Sequence, residues 1–267
     1  MQEIIVKCLI VLFVLISDVV IRVTEKVENE IVQKTIIIMP VANEEATMKT
    51  IIEKILLLPY ENLFLYPVVD SSSNDHTEEI IKDYEKTGRV KCIFYKESTG
   101  VISCYLEGYR RALADGAQQV IEMDGGGSHQ PEEIPQFIER LEEGYECVWG
   151  SRFIEGGDIS HHPFYRRILS SGGTILANLV LGTNLKDMTS GFEGFKKEVL
   201  EEFQFENFLS SGHMYQTEMR YYCRNKKALE VPIHYVGGGS SLKMKYVTEA
   251  LKILFQLKRH EEKVRRK

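Results

Sequence analysis

The 267-residue sequence has no Cys-x-x-Cys pair, no internal repeat and no excess of positive charge. Its five cysteines, Cys8, Cys92, Cys104, Cys147 and Cys223, are odd in number and widely spaced. That excludes the common zinc and dithiol redox patterns and fits a reducing compartment without structural disulfides. A formal net charge of -6 excludes a general nucleic-acid binder, whose affinity rests on a basic surface. Nor does a G-x-G-x-x-G turn follow the first strand-like run, where a nicotinamide dinucleotide would need it. What the chain does have is 43% hydrophobic residues, enough to bury the core of one large domain.

Residues 4–23 are nearly apolar and residues 8–16 wholly so, but Lys7, Asp18 and Arg22 interrupt the stretch. A bilayer-spanning helix needs about 20 apolar residues, so a membrane anchor, an interfacial helix, a signal-type segment and a helix packed on the domain all fit. No small-residue cleavage site stands out, which argues against secretion. At the other end, residues 243–267 are locally basic, with Lys243, Lys245, Lys252, Lys258, Arg259 and others against Glu249, Glu261 and Glu262. Val247, Ala250, Leu251 and Leu254 predict one apolar face of a terminal helix.

Between these ends, strand-like and helix-like patterns alternate, as in a parallel sheet covered on both faces. Strands are predicted at residues 35–39, 66–70, 90–95, 119–123, 147–150 and 229–235. Helices are predicted at 45–58, from Asp75 or Thr77 towards 86, at 101–114, 131–143, 166–181, 197–203 and 214–224. Residues 155–163 and 237–241 read as loops. One run stands out: Val120-Ile121-Glu122-Met123-Asp124-Gly125-Gly126-Gly127-Ser128-His129-Gln130-Pro131. A buried strand holds a carboxylate rigidly at its C-terminal tip, and the glycines let backbone approach a diphosphate closely.

Five segments occur in a telling order: Pro40-Val41-Ala42-Asn43-Glu44, Val68-Val69-Asp70-Ser71-Ser72-Ser73-Asn74-Asp75, Met123-Asp124-Gly125-Gly126-Gly127-Ser128-His129, Gly150-Ser151-Arg152-Phe153 and Asp187-Met188-Thr189-Ser190-Gly191-Phe192. Together they resemble inverting family 2 glycosyltransferases with the GT-A fold, above all the dolichyl- or polyprenyl-phosphate mannosyltransferases. The resemblance runs from about residue 35 to about residue 245. It implies an α/β fold, a Rossmann-like, mostly parallel sheet flanked by helices, to which the apolar N-terminal segment adds a helix and the C-terminal segment an amphipathic one. The domain division expected is residues 1–33 as apolar segment and connector, 34–245 as the glycosyltransferase domain, and 246–267 as a basic helix or tail.

The resemblance implies transfer of a hexose, mannose in the mannosyltransferases just named, from a nucleotide sugar such as GDP-mannose or UDP-glucose to a polyprenyl phosphate. It assigns Pro40, Asn43, Glu44, Asp70, Asp75, Asp124 and Gly125 to the donor. Asp70 would accept N–H donors of the base. Asp124 matches the first carboxylate of a D-x-D motif that binds a divalent cation, Mg or Mn, with Ser128 at a further ligand position. Arg152, Arg166 and Ser170 match positions that grip the acceptor phosphate, for which arginine's fork is suited. Arg152 and Asp187 fall at the reaction centre, Asp187 in an orienting or acid-base role. Gln216 and Glu218 match an F-Q-x-E-M helix, as a functional or a packing pair. Lys243 and Lys245 are within reach of donor or lipid phosphate. A lipid acceptor implies work at a membrane surface, on its cytoplasmic face.

The chain departs from the family pattern at Ser71, His76, Ile102, Gly126 and Gly238. Gly126 removes the second D-x-D carboxylate, so the expected cation is weakly bound and donor-dependent. Two readings follow: an active transferase, or a degenerate homologue that binds nucleotide or lipid as a regulatory subunit. Retention of the polar positions, which packing does not require, favours the first.

Overall fold

The run Thr35-Ile-Ile-Ile-Met-Pro-Val41 forms β1 (Thr35–Val41), buried along its whole length at the middle of a sheet. A strand covered on both faces needs apolar side chains in both directions, which is why this run does not alternate with polar residues. The computed structural model of the protein describes residues 33–159, 164–210, 212, 214–236 and 244–265, with the side chains of residues 164, 166 and 244–249 outside the description. The apolar segment at residues 4–23 and the positions Gly238 and Lys243 thus lie outside the described residues, as do the side chains of Arg166, Lys245 and Val247.

Among the described residues, β1 is joined by β2 (Leu63–Asp70), β3 (Ile93–Tyr95), β4 (Gln119–Glu122), β5 (Cys147–Ser151), β6 (Glu193–Lys196) and β7 (Ala228–Pro232), in the order β3-β2-β1-β4-β6-β5-β7. β1 pairs in parallel with β2 and β4, β2 with β3, and β5 with β7. β6 is antiparallel to both β4 and β5. That reversal brings the loop entering β6 to the rim where β1, β2, β4 and β5 end. The α/β architecture expected from the alternation is therefore present, with one antiparallel strand set into a mostly parallel sheet.

The helices are α1 (Glu45–Leu56), α2 (Thr77–Tyr84), α3 (Val101–Ala114), α4 (Ile134–Glu142), α5 (Phe164–Leu181), α6 (Lys197–Glu201), α7 (Tyr215–Tyr222) and α8 (Met244–Val264). Period-2 alternation in β1 divides the core. Ile36 and Ile38 face a layer with Tyr105 and Tyr109 of α3, Tyr215 of α7 and Leu254 and Leu257 of α8. Ile37, Met39 and Val41 face Met48, Ile52 and Ile55 of α1 and Ile134, Phe137 and Leu141 of α4.

Several bounds shift by a few residues, and four larger details differ from the sequence reading. β6 was not foreseen, because Glu-Gly-Phe-Lys carries two charges and a glycine in four residues. Pro131 opens a 3-10 turn, Pro131–Glu133, and the α-helix starts only at Ile134. Val90 makes an isolated bridge to Leu65 outside β3. The buried stripe of α8 is Ile253, Leu254, Leu257 and Val264, and Leu251, expected on that face, is 38% exposed. Residues at i, i+1, i+4 and i+11 define the stripe, one step around the helix from the predicted face. No described helix is long and apolar enough to cross a membrane.

Candidate active site

The ends of β1 and β2 are laced together by hydrogen bonds. Asn43 turns the chain through a left-handed conformation (φ 57°), which asparagine tolerates better than most residues. Its side-chain oxygen accepts from the Asn74 N–H at 2.9 Å, and its own N–H donates to Ser73 Oγ at 3.0 Å. The Glu44 N–H donates to Thr77 Oγ1 at 2.8 Å. Asp75 accepts from the N–H groups of Thr77 (3.0 Å) and Glu45 (3.1 Å), so it ties the starts of α2 and α1 together. Burial pushes the Glu44 carboxyl up, and the negative charges of Asp75 and Asp124 add to that against an opposing hydrogen bond from Thr47.

Asp70 is buried at the tip of β2. Its Oδ1 accepts from the Ser72 N–H (2.8 Å) and hydroxyl (2.6 Å), and its Oδ2 from the Ser98 hydroxyl and from Cys104 Sγ (3.7 Å). Burial alone would raise this carboxyl, but the Ser72 and Ser98 hydrogen bonds hold it below the usual range. Its acceptor directions are thus engaged by the protein, a constraint the sequence did not reveal.

At the tip of β4, glycine at position 125 is a packing requirement. A Cβ there would lie 2.5 Å from Val41 Cγ1 and 2.9 Å from the Pro40 carbonyl oxygen. Gly127 takes φ 78°, the left-handed region. Gly126 faces Glu44, whose carboxylate oxygens would lie 3.2 and 3.6 Å from a Cβ at position 126. Asp124 accepts from the Tyr105 hydroxyl at 3.0 Å, and its side chain is 36% exposed. Ser128 is buried and its carbonyl accepts from the Val236 N–H. The buried His129 Nδ1 accepts from the Asp124 N–H at 3.0 Å, so its proton sits on Nε2. Burial keeps this imidazole neutral. Nε2 lies 3.9 Å from Asp124 Oδ2 and has no hydrogen-bond partner among the described residues.

Arg152, just beyond β5, and Asp187, in the loop entering β6, form a buried bidentate pair with Nε–Oδ2 at 2.7 Å and Nη2–Oδ1 at 2.9 Å. Arg152 Nη2 also donates to Thr189 Oγ1 at 2.6 Å, and its guanidinium lies 5.5 Å from the Tyr235 ring. Glu230 receives the Asp187 N–H at 2.9 Å. Burial would raise Asp187, but the Arg152 charge and its hydrogen bonds bring it down to about 2. Asp124 also lies within electrostatic range of Arg152, and a Cβ on Gly191 would come 3.6 Å from Asp124 Oδ1 and 3.2 Å from Gln216 Nε2. Asp124, His129, Arg152, Asp187 and Gln216 therefore share one place.

Beneath them, Glu122 and Glu193 are directly opposite each other on β4 and β6, both fully buried. Glu122 accepts from the Tyr109 hydroxyl, and Glu193 from Arg220 Nε at 2.7 Å. Their other oxygens, Glu122 Oε1 and Glu193 Oε2, receive no other donor. Two carboxyls facing each other in burial cannot both ionise, so the pair favours holding one proton. Burial raises Glu122 well above its ordinary value and Glu193 to about 7, where Arg220 opposes the rise.

Other predicted positions fall elsewhere. Glu218 accepts from the Leu209 and Ser210 N–H groups (2.8 Å each) and the Tyr222 hydroxyl, away from the rim cluster and in a structural task. Ser170 is half-buried on α5 and makes no hydrogen bond to Asp124, Arg152 or Asp187. Tyr105, Ser98 and Glu230 were not singled out in the sequence, since nothing local marks which side chain will reach a distant strand tip. A hollow of about 350 Å³ lined by Lys34, Tyr66, Arg89, Lys91 and Asp115 lies at the opposite, N-terminal rim of the strands and is unrelated to this cluster.

Carboxylates at the tips of β1, β2 and β4, with an Arg–Asp pair brought to the same rim by β5 and the reversed β6, are the arrangement expected of a GT-A glycosyltransferase. Residues 36–204 match the family described as Glycosyl transferase family 2, and the chain belongs to that family. It is 28% identical over 206 residues to the polyprenol monophosphomannose synthase of Mycolicibacterium smegmatis, covering 75% of this chain and 77% of that one. It is 29% identical over 238 residues to the dolichol-phosphate mannosyltransferase of Pyrococcus furiosus, covering 87% of this chain but 66% of the relative, just under two thirds. The fold is shared with glucosyl-3-phosphoglycerate synthase of Mycobacterium tuberculosis in complex with UDP, at a TM-score of 0.59, 16% identity and coverage of 84% of this chain and 80% of that one. The same enzyme crystallised with Mn2+, UDP-glucose and phosphoglyceric acid gives a TM-score of 0.60 at 17% identity, with 86% and 80% covered.

Proposed function

We propose that the protein transfers a hexose, mannose by preference, from a nucleotide sugar to a polyprenyl phosphate at a membrane surface, with inversion at the anomeric carbon. The observation that carries this reading is the convergence of Asp124 and the Arg152–Asp187 pair on one rim of the sheet. The names of the curated relatives support a polyprenyl phosphate acceptor and a mannose donor. GDP-mannose is the first donor to test and UDP-glucose the second.

A phosphate monoester has its second pKa near ~6, so the acceptor already presents an anionic oxygen at neutral pH. That oxygen bonds to the anomeric carbon as the bond from that carbon to the diphosphate breaks, and the nucleoside diphosphate leaves with the electron pair. No strong protein base is needed, and Asp187 is not one. Held at about 2 with both oxygens engaged, it orients Arg152, whose charge receives phosphate oxygen. Pro40, Asn43, Glu44, Asp70, Asp75 and Gly125 form the donor edge, and Arg166 and Ser170 extend the acceptor grip along α5.

The rim also fits a divalent cation. Among the described residues no lysine or arginine lies within 4.0 Å of Glu44, Asp75 or Asp124. A diphosphate placed beside these carboxylates would be repelled without a counter-charge. Asp124, with Ser128 as a further oxygen, would hold Mg or Mn weakly together with the donor. The ion would neutralise charge on the departing diphosphate.

Association with a membrane is supported by α5. Thr174, Ala177 and Leu181 bury its inner face, yet Tyr165, Ile168, Ile175 and Leu179 on the outside are 56–79% exposed. A helix apolar on both faces suits a lipid boundary better than water. We place the transferase unit at residues 34–245 with α8 packed into its core through Leu254 and Leu257, residues 1–33 as an appended segment and the cytoplasmic face as the working side. The test is a product assay on membranes, with radiolabelled donors offered one at a time and Asp124→Ala as control. Label entering lipid, and lost in the control, is expected; nucleotide binding without transfer from any donor would refute catalysis. A purely binding subunit is not favoured, since a buried ion pair such as Arg152–Asp187 adds little to stability for its own sake.

A further inference from the structure

We propose that Glu44, from the end of β1, supplies the second carboxylate of the cation site, in the place of the side chain that Gly126 lacks. This rests on the nucleotide-sugar reading above and deepens it: the ligand is a hard divalent cation bound jointly with a nucleoside diphosphate.

The first observation is positional. Glu44 Oε1 and Oε2 would lie 3.2 and 3.6 Å from a Cβ on Gly126, so the carboxylate fills the start of the path that a side chain at 126 would take. It is aimed there by its backbone. The left-handed turn at Asn43 and the bond from the Glu44 N–H to Thr77 Oγ1 fix the residue from both sides. Glu44 stands at the N-cap position of α1, yet its side chain makes no capping hydrogen bond. Its one hydroxyl contact, from Thr47 Oγ1 at 3.5 Å, is long, and the same hydroxyl lies 3.5 Å from the Gly125 carbonyl. The carboxylate therefore leans over the glycine run and has no strong partner among the described residues.

The second observation is independent of the carboxylates. His129, 1% exposed, leaves its Nε2–H without a hydrogen-bond partner among the described residues, 3.9 Å from Asp124 Oδ2. A buried donor is costly to leave unmade, and this one lies beside the Asp124 carboxylate. Carboxylate oxygens beside a single N–H donor suit a cation together with the phosphate oxygen it binds, rather than a cation alone. Hard cations take several oxygen ligands, and affinity rises with ligand charge, so a second carboxylate changes the site materially.

The experiment titrates Mn2+ into the purified full chain with saturating GDP or UDP, reading free Mn2+ by electron paramagnetic resonance. Glu44→Gln should weaken Mn2+ binding roughly tenfold or more, a loss of the size that removing ligand support produces. Gly126→Asp added to Glu44→Gln should restore it, because the three atoms nearest a Cβ at 126 all belong to the flexible side chain being replaced. The melting temperature of metal-free Glu44→Gln should match wild type, which separates loss of a ligand from loss of the fold. Unchanged Mn2+ affinity in a folded Glu44→Gln chain overturns the proposal. Failure of Gly126→Asp to rescue a folded Glu44→Gln chain also overturns it. If wild type binds neither nucleotide under any condition, the donor reading itself falls and this inference with it.

Discussion

Removing the charge of Asp187 tests the reaction centre most directly. In Asp187→Asn, Arg152 keeps its charge at 8% exposure but loses its bidentate partner. Breaking a buried pair from one side costs about 3–5 kcal/mol, chiefly because the remaining charge is uncompensated. At roughly 2–4 °C per kcal/mol for a domain of this size, the melting temperature should fall by about 10 °C. The deficit should depend on pH. Asp187 is held at about 2 against an ordinary 3.8, so its contribution is present above 3.8 and is lost as pH falls through 2. The gap between wild type and variant should therefore close over that window. Replacing both partners with apolar residues, Arg152→Met with Asp187→Leu, should recover stability to within about 1 kcal/mol of wild type. It should not recover transfer, which we expect to drop by about 100-fold or more with the oriented guanidinium gone. Differential scanning calorimetry and the lipid product assay read the two quantities separately. A single variant melting within about 2 °C of wild type would refute the pairing energetics, and a double variant with full transfer would refute the functional role.

Glu122→Gln should place an amide N–H against Glu193, so that no shared proton is needed. Wild type should lose stability as pH rises from 4.5 through 7, because the raised Glu193 favours the folded state only while the pair holds its proton. Urea unfolding between pH 5 and 8 should show a flatter profile for the variant, and equal slopes would count against the shared proton. Gly125→Ala forces a Cβ within 2.5 Å of Val41 Cγ1 and should cost about 1–3 kcal/mol with a clear loss of nucleotide affinity; isothermal titration with normal affinity would contradict the close approach. Asp70→Asn should raise the KM for donor more than it lowers kcat, since it disturbs the Ser72 and Ser98 contacts at the base end rather than the reacting carbon. Transfer measured with EDTA, then with Mn2+ restored, should vanish and return; activity undiminished by chelation would remove the cation from the scheme.

The parts of this fold legible in the sequence are those where local signals and packing agree. α3 begins and ends where predicted because Gly100, at φ 123°, and Gly116, at φ 77°, punctuate an apolar period of 3.6. β1 was plain from its unbroken apolar run. β6 was hidden because Glu193 reads as a surface charge, whereas it is fully buried against Glu122 and Arg220. Strand identity there is a tertiary outcome that no local pattern encodes. The site was legible in a similar way. Motif order placed Asp124, Arg152 and Asp187 at strand ends, and the structure gathers them on one rim. It did not show that Arg152 would engage Asp187, that Asp70 would be saturated by serines, or that Glu44 would lean over Gly126. Each of these is a contact between segments far apart in the chain.

The buried acid pair and the rim are parts of one device. Arg220, on α7 and fully buried, donates to the carbonyls of Asp187, Ser190 (3.0 Å) and Gly150 (3.3 Å) as well as to Glu193. Only a guanidinium offers enough fixed donors to hold two segments of backbone at once. The segments it holds are the loop that carries Asp187 and the strand that delivers Arg152. A buried guanidinium needs a counter-charge, which Glu193 provides from β6. Setting β6 antiparallel beside β4 then brings Glu193 against Glu122, and two carboxylates there cannot both ionise, so one proton remains between them. The reversed strand, the buried charges and the retained proton thus follow from a single requirement, that Arg152 and Asp187 be held rigidly beside Asp124.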